Sequence, residues 1–256
     1  MSGAPIAGRR AVLEAIRAGV ATEVLIAVGA RDTQGLREVR AAARAARVPV
    51  RATDRRELDR LAADHRGVVA RTGSVARRPE LGERELAELP FAEDAIVVVL
   101  DGITDPQNLG AAARAAEAAG AAALVSRTRR AAEVTSAALR ASAGALLHLP
   151  HARVANIARA IGRLQDAAFT AIGLDGAADR TIFDEPCPAG RVALVVGSEG
   201  MGMSRLVRER CDLLVALPLR GRVASLNAAS SLAAALYGFV LPGRVEGVVA
   251  SSRRRG

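Results

Sequence analysis

The sequence predicts an α/β protein in two units, a small N-terminal one and a larger C-terminal one built on a mostly parallel sheet. Short apolar runs of Val, Leu and Ala alternate with segments of helical period along most of the 256 residues. These runs are continuous rather than alternating, as in strands covered on both faces. Several stop at glycine-rich turns, and the carboxyl ends of such strands are where open α/β sheets bind ligands. Half of the chain is apolar and only 2% is aromatic, with no Trp, so the core must be aliphatic.

In residues 9–18, RRAVLEAIRA, apolar Val12, Ala15 and Ile16 fall at helical spacing, and Gly19 ends the helix. A strand follows at 24–28. A helix at 36–47 carries Arg37, Arg40, Arg44 and Arg47 at intervals of three and four, hence on one face. That stripe is either a solvated face or one turned to RNA. A strand near 48–51, a helix from Asp54 as N-cap to about 63, and a strand at 67–70 complete a unit placed at 1–75. His65 reads as a solvent-exposed loop histidine. Residues 76–94 are polar, with two prolines and no sustained period, which predicts a linker with one helical turn in its second half.

The second unit is placed at 95–242. Strands are predicted at 95–100, 122–125, 145–149, 168–172, 192–196 and 213–217, and helices at 109–119, 131–142, 153–166, 203–210 and 225–239. A basic tail, 243–256, ends in SSRRRG.

Net charge is +9, and all 36 basic residues are Arg. Guanidinium forks match phosphate better than ammonium does, so nucleic acid is the favoured partner, with an ordinary solvated surface as the alternative. No run approaches the ~18 apolar residues of a membrane span. The start, MSGAPIAGRR, lacks the apolar core of a signal peptide. Cys187 and Cys211 fit no metal or redox spacing. Reduced thiols, a cytoplasmic location and no membrane partner are expected.

Three loops carry the candidate chemistry. The first runs Asp101-Gly102-Ile103-Thr104-Asp105-Pro106-Gln107-Asn108-Leu109-Gly110. Asp105-Pro106 sets a turn, Asn108 can cap the helix, and Gly120 ends it. Arg114 stands out as a large polar residue in an alanine-rich helix, near the positive end, where the dipole disfavours a cation. It either holds a phosphate or a hydroxyl, or pairs with Glu117 on the surface. In the second loop, Gly197-Ser198-Glu199-Gly200-Met201-Gly202, three glycines in six residues let the chain turn sharply and bare its amides around Glu199. The third, Leu217-Pro218-Leu219-Arg220-Gly221-Arg222-Val223-Ala224-Ser225-Leu226-Asn227, enters another alanine-rich helix. Capping explains Ser225 or Asn227 but not both. Each loop follows a strand's carboxyl end, so all three can share one crevice. The glycine order excludes a dinucleotide fingerprint, and neither a P-loop nor a G-x-S-x-G elbow is present. His148 and His151 lack neighbouring ligands, so no metal is expected.

These loops, in this order, resemble the SpoU (TrmH) family of SPOUT RNA 2′-O-ribose methyltransferases. The matches are Asp105 to Gly110 with Arg114, then Gly197 to Gly200 with Gly202, then Leu217 to Leu219 through Ser225-Leu226-Asn227. The resemblance is strong over 95–240 and weaker over 5–75, which looks like the family's ribosomal-protein-like RNA-binding domain. The start Gly8, Ala11, Val12, Glu14, Ala15, Ile16 looks most like the enzymes that methylate a guanosine of 23S rRNA. Ala228-Ala229 after Asn227 departs from the family's common Val-Ser pair.

The resemblance implies a deep trefoil knot in the C-terminal domain and a homodimer formed through that domain. It places S-adenosylmethionine against Gly197, Gly202, Leu217, Ser225 and Leu226, and gives the reaction to Asn108, Arg114, Glu199, Ser225 and Asn227. RNA is the partner, with Arg127, Arg129 and Arg130 expected on the same rim as contacts to phosphates. A guanidinium is effectively never deprotonated in a protein, so Arg114 is easier to accept as clamp or orienter than as base. The competing readings are a tRNA or other rRNA target, including a resistance-conferring one, and a non-catalytic RNA-binding protein of this fold.

Overall fold

The computed structural model describes residues 5–62, 64–72, 81–184, 186–223, 225–242 and 244. Its first helix, α1 (Arg9–Arg17), buries Ala11, Val12, Leu13, Ala15 and Ile16 and ends at Ala18 and the left-handed Gly19. A two-residue strand that the sequence did not suggest, β1 (Ile6–Ala7), precedes it. There follow β2 (Ala21–Ala27), α2 (Gln34–Ala45), β3 (Val50–Thr53), α3 (Arg55–Leu61) and β4 (Val68–Thr72). Asp54 caps α3, its side chain accepting from the Arg56 N–H at 3.1 Å. The sheet order is β1-β4-β2-β3, with β2 and β3 parallel and β4 antiparallel to both its neighbours. Arg37, Arg40, Arg44 and Arg47 are all exposed, and Arg37 pairs with Asp32 at 3.1 Å. His65 is not exposed: only 3% of it reaches solvent, because its ring ties the loop down between Asp59 and the Gly67 amide.

Residues 81–94 are no free linker. Leu81 bridges β7 (His151–Val154), and α4 (Glu83–Ala87) packs on it, with Glu83 accepting from Arg159 Nε and Nη2 at 2.7 and 2.8 Å. The rest of the expected linker, 76–80, and nearly all of the expected tail lie outside the described residues. Arg244 is described, and it binds back to the Val240 carbonyl at 2.9 Å.

The larger sheet comprises β5 (Ile96–Asp101), β6 (Ala123–Arg127), β7, β8 (Phe169–Leu174), β9 (Arg191–Gly197) and β10 (Leu213–Val215). All its pairings are parallel, in the order β10-β8-β9-β5-β6-β7. The chain thus inserts β9 between two strands already laid down. Helices α5 (Pro106–Ala118), α6 (Ser136–Ala141), α7 (Ile157–Asp166), α8 (Arg205–Arg210) and α9 (Ala228–Ala235) complete the unit, and a π-helical stretch, Leu236–Val240, extends α9. The strand expected at 145–149 is a 3-10 turn, Ala145–Leu147, started by the left-handed Gly144. All three of its side chains are buried, and a short apolar run does not by itself distinguish a strand from a buried helical turn. The strand comes instead at His151–Val154, whose last two residues fall in the helix expected at 153–166.

One aliphatic core runs through both units: Leu146 and Leu147 join the cluster that contains Val12, Ile16 and Val24. No helix among the described residues is long and apolar enough to cross a membrane.

Gly110 lets α5 approach α6, since a Cβ there would lie 2.3 Å from the Ala138 carbonyl oxygen. Gly110→Ala is expected to cost about 1–3 kcal/mol, read as a lower Tm. The Arg159 hydrogen bonds hold the Glu83 carboxyl below its ordinary value of 4.5. That stabilisation is complete above the unfolded value and is lost as pH falls through the folded one. Between pH 5 and 3, Tm should therefore fall more steeply for the wild type than for Glu83→Gln, by calorimetry.

Candidate active site

The first loop starts α5 one turn earlier than the sequence suggests. Asp105, not Asn108, is the N-cap, its carboxylate accepting from the Gln107 N–H at 2.9 Å, with Pro106 in the first helical position. Asn108 therefore lies inside the first turn with its side chain released from capping. Its Nδ2 donates to Glu199 Oε1 at 2.9 Å.

Glu199 is set by the turn after β9. Gly197 lies so close to the returning chain that a Cβ would fall 2.1 Å from the Gly202 carbonyl carbon. Ser198 and Gly202 exchange backbone hydrogen bonds at 3.0 and 2.9 Å, closing the loop. Gly200 and Gly202 sit at φ +76° and +66°, conformations that favour glycine.

Asn227 settles the choice between the two capping candidates. Its Oδ1 accepts from the N–H groups of Ala229 and Ser230, at 3.0 and 3.3 Å, and so caps α9. Its Nδ2 faces the other way, donating to Asn108 Oδ1 at 2.8 Å and to Glu199 Oε1. Asn108, Glu199 and Asn227 thus form one hydrogen-bonded trio. Glu199 Oε1 receives two of these bonds, and Oε2 has no recorded partner among the described residues.

Beside the trio lies a pocket of about 400 Å³, within the range of small-molecule sites. Gly197, Glu199, Gly202, Leu217, Ser225 and Leu226 all line it. Its wall is loop backbone and leucine with two carboxylates, Glu199 and Asp175, a lining suited to a flat apolar ring system with a cationic group nearby. Asp175, just past β8, also lines it and was not anticipated. The signal was present, an acid followed by glycine at a buried strand's carboxyl end, as with Glu199. Asp175 is held by Arg208 and by the Ala177 amide.

Arg114 does not join the trio. It lies six residues beyond Asn108, about 120° away around α5 at 100° per residue. It is exposed, and its guanidinium has no hydrogen bond or ion pair with a described residue, Glu117 included. The three rim arginines also divide. Arg129 and Arg130 are exposed, whereas Arg127 turns inward to Asp101, 3.2 Å away. The Asp101 side chain is 3% exposed and also accepts from the Ser204 N–H at 2.7 Å. The cysteines are free and half-buried, and burial pushes the Cys211 thiol up to about 12.

Residues 95–237 match the SpoU rRNA methylase family, and residues 5–76 match the substrate-binding domain of RNA 2′-O ribose methyltransferases. An uncharacterized tRNA/rRNA methyltransferase of Mycolicibacterium vanbaalenii is 41% identical over 87% of this chain and 71% of its own length. The 23S rRNA (guanosine-2′-O-)-methyltransferase RlmB of Salmonella typhi is 39% identical over 68% of this chain and 70% of its own. The structure is also similar to that of the SpoU methyltransferase AviRb from Streptomyces viridochromogenes in complex with AdoMet. That likeness has a TM-score of 0.74 at 26% identity, covering 94% of this chain and 90% of that one.

Replacing Asn227 separates its two duties. Asn227→Ala removes the cap and should cost about 0.5–2 kcal/mol of stability. Asn227→Ser keeps a capping oxygen, so in thermal unfolding it should lie nearer the wild type.

Proposed function

The chain belongs to the SpoU rRNA methylase family, and we propose that it methylates the ribose 2′-hydroxyl of a guanosine in 23S rRNA. It is an RNA 2′-O-methyltransferase and uses S-adenosylmethionine. The rRNA target is supported by the relative that modifies 23S rRNA and by the match of residues 5–76 to a substrate-binding domain. Family membership also supports a ribosomal-protein-like N-terminal domain, a knotted C-terminal domain, a homodimer and a cytoplasmic location.

The observation that carries the mechanism is the trio beside the pocket. S-adenosylmethionine supplies a methyl group already activated on a sulfonium, so the protein's task is to position the hydroxyl and manage its proton. Gly197, Gly202, Leu217, Ser225 and Leu226 would hold the cofactor. Asn108 and Asn227 fix one oxygen of Glu199, leaving the other for the ribose hydroxyl. With that proton directed at Glu199, a hydroxyl lone pair is free to face the pocket. Arg114, on the same helix and free of described partners, would act on an RNA phosphate from outside the trio.

The test uses purified full chain, tritiated S-adenosylmethionine and unmethylated 23S rRNA. Label should appear as 2′-O-methylguanosine. Glu199→Gln and Asn108→Ala should lower kcat by about 10²–10⁴ with cofactor affinity within about threefold. Arg114→Ala should likewise lose turnover and keep cofactor affinity. Label in tRNA but not rRNA would overturn the target, and loss of cofactor binding in Glu199→Gln would overturn the role of Glu199.

A further inference from the structure

A second cleft, of about 530 Å³, opens between the two units on the other side of the start of α5. Arg9, Arg10 and Arg66 line it from the N-terminal unit, and Arg140 and Gln107 from the larger one. None of the four guanidinium groups has a hydrogen bond or ion pair with a described residue, and one carboxylate, Asp64, lines the same space. Four guanidinium groups against one acid repel each other unless an anion is shared between them.

Two further observations point to that anion. Arg9 Nε is fully buried and has no hydrogen-bond partner, although its aliphatic stem reaches α2, where a Cβ on Gly35 would meet the Arg9 Cδ at 3.6 Å. A buried guanidinium N–H without an acceptor is uncommon, and no described residue supplies one. The same cleft also receives the start of α1, where Gly8 offers no side-chain cap and the Arg9, Arg10 and Ala11 amides stay open. Around the rim, Asp64 and Arg66 both take left-handed backbone, at φ +53° and +50°, on either side of the buried His65. The ring of that histidine, bound to Asp59 and the Gly67 amide at 2.9 Å each, holds Arg66 at the cleft.

From this we infer that the interdomain cleft clamps a backbone phosphate of the RNA substrate, with Arg9, Arg10, Arg66 and Arg140 as positioning residues. The inference deepens the proposed function and rests on it for the identity of the polymer. Gln107 lines the cleft while its neighbour Asn108 binds Glu199, so one turn of α5 separates clamp from trio. A phosphate fixed in the cleft would set how far along the strand the reacting ribose lies. It would also engage both units at once, which neither the arginine stripe on α2 nor Arg129 and Arg130 can do.

The experiment measures binding of in vitro-transcribed 23S rRNA to the full chain by filter retention between 50 and 300 mM salt, in parallel with methyl transfer. Arg10→Ala/Arg140→Ala should weaken RNA binding at least tenfold and flatten the plot of log affinity against log salt by about 1–2. KM for RNA should rise more than kcat falls, with Tm and S-adenosylmethionine affinity near wild type. Arg140→Lys, which keeps the charge, should recover part of the loss. Unchanged affinity and slope in the double variant would overturn the clamp. So would a rise in wild-type Tm with inorganic phosphate, at matched ionic strength, that the double variant loses while RNA binding stays put, since that marks a free-anion site. If the wild type binds rRNA but transfers no methyl, the proposed function fails while the binding comparison still decides the clamp.

Discussion

The two-sided carboxamide of Asn227 is the constraint on which the candidate centre depends. Two backbone N–H groups of α9 demand its oxygen, so its NH₂ must face away from the helix. There it finds only oxygens, Asn108 Oδ1 and Glu199 Oε1. The flipped amide would set an NH₂ against two donors and an oxygen against two acceptors, so the geometry of the helix start decides the orientation. Asn108 is then oriented in turn, its oxygen accepting and its NH₂ left for Glu199. Each such bond is worth only about 0.5–1.5 kcal/mol net, so the trio contributes little to holding the fold. Its effect is to convert three helix and strand ends into one fixed carboxylate oxygen.

Those ends are held in place by a deeper contact. Asp101 ends β5 directly opposite Gly197 of β9, and its buried carboxylate spans to Arg127 on β6 and to the amide of Ser204 ahead of α8. A buried charge is tolerated only when paired and hydrogen-bonded, and the half-exposed Arg127 and the Ser204 amide do this for Asp101. This accounts for the division of the three rim arginines. Arg127 is the one at the end of a strand, pointing at an acid at the end of the next, while Arg129 and Arg130 lie beyond the strand in solvent.

Much of this was legible in the residues. Apolar runs gave five of the six strands of the large sheet, and glycine spacing marked the corner at Glu199. What stayed hidden depends on distant contacts. The 145–149 run has strand composition, yet Gly144 is left-handed and packed against Glu14 of α1, which turns the next three residues into a 3-10 turn. Asn108 and Asp105 are equally good caps by type, and only the position of Pro106 at the first helical residue separates them. The reach of Asn227 to Glu199 across 28 residues has no local signature at all. Convergence was readable from three loops following three strand ends, but the exclusion of Arg114 from the trio was not. The 120° between it and Asn108 follows from their six-residue spacing only once Asn108 lies inside α5, and the sequence alone sets Asn108 at the cap.

The two units do not meet as independent modules. Glu14 of α1 accepts from Arg17 on its own helix and lies 3.2 Å from His148 of the larger unit, and the aliphatic core passes beneath that contact without a break. The surface joining them also includes the arginine cleft, whose far wall is α6, and α6 is seated on α5 at Gly110. Consecutive residues of a helix point 100° apart, so Gln107 and Asn108 face different spaces while moving as one body. A displacement of the N-terminal unit would therefore have to shift α6 and α5 together, and with them the asparagine that orients Glu199. Close packing transmits such a shift rather than absorbing it. The proposed clamp on one side of α5 and the trio on the other would thus be joined by a single turn of helix.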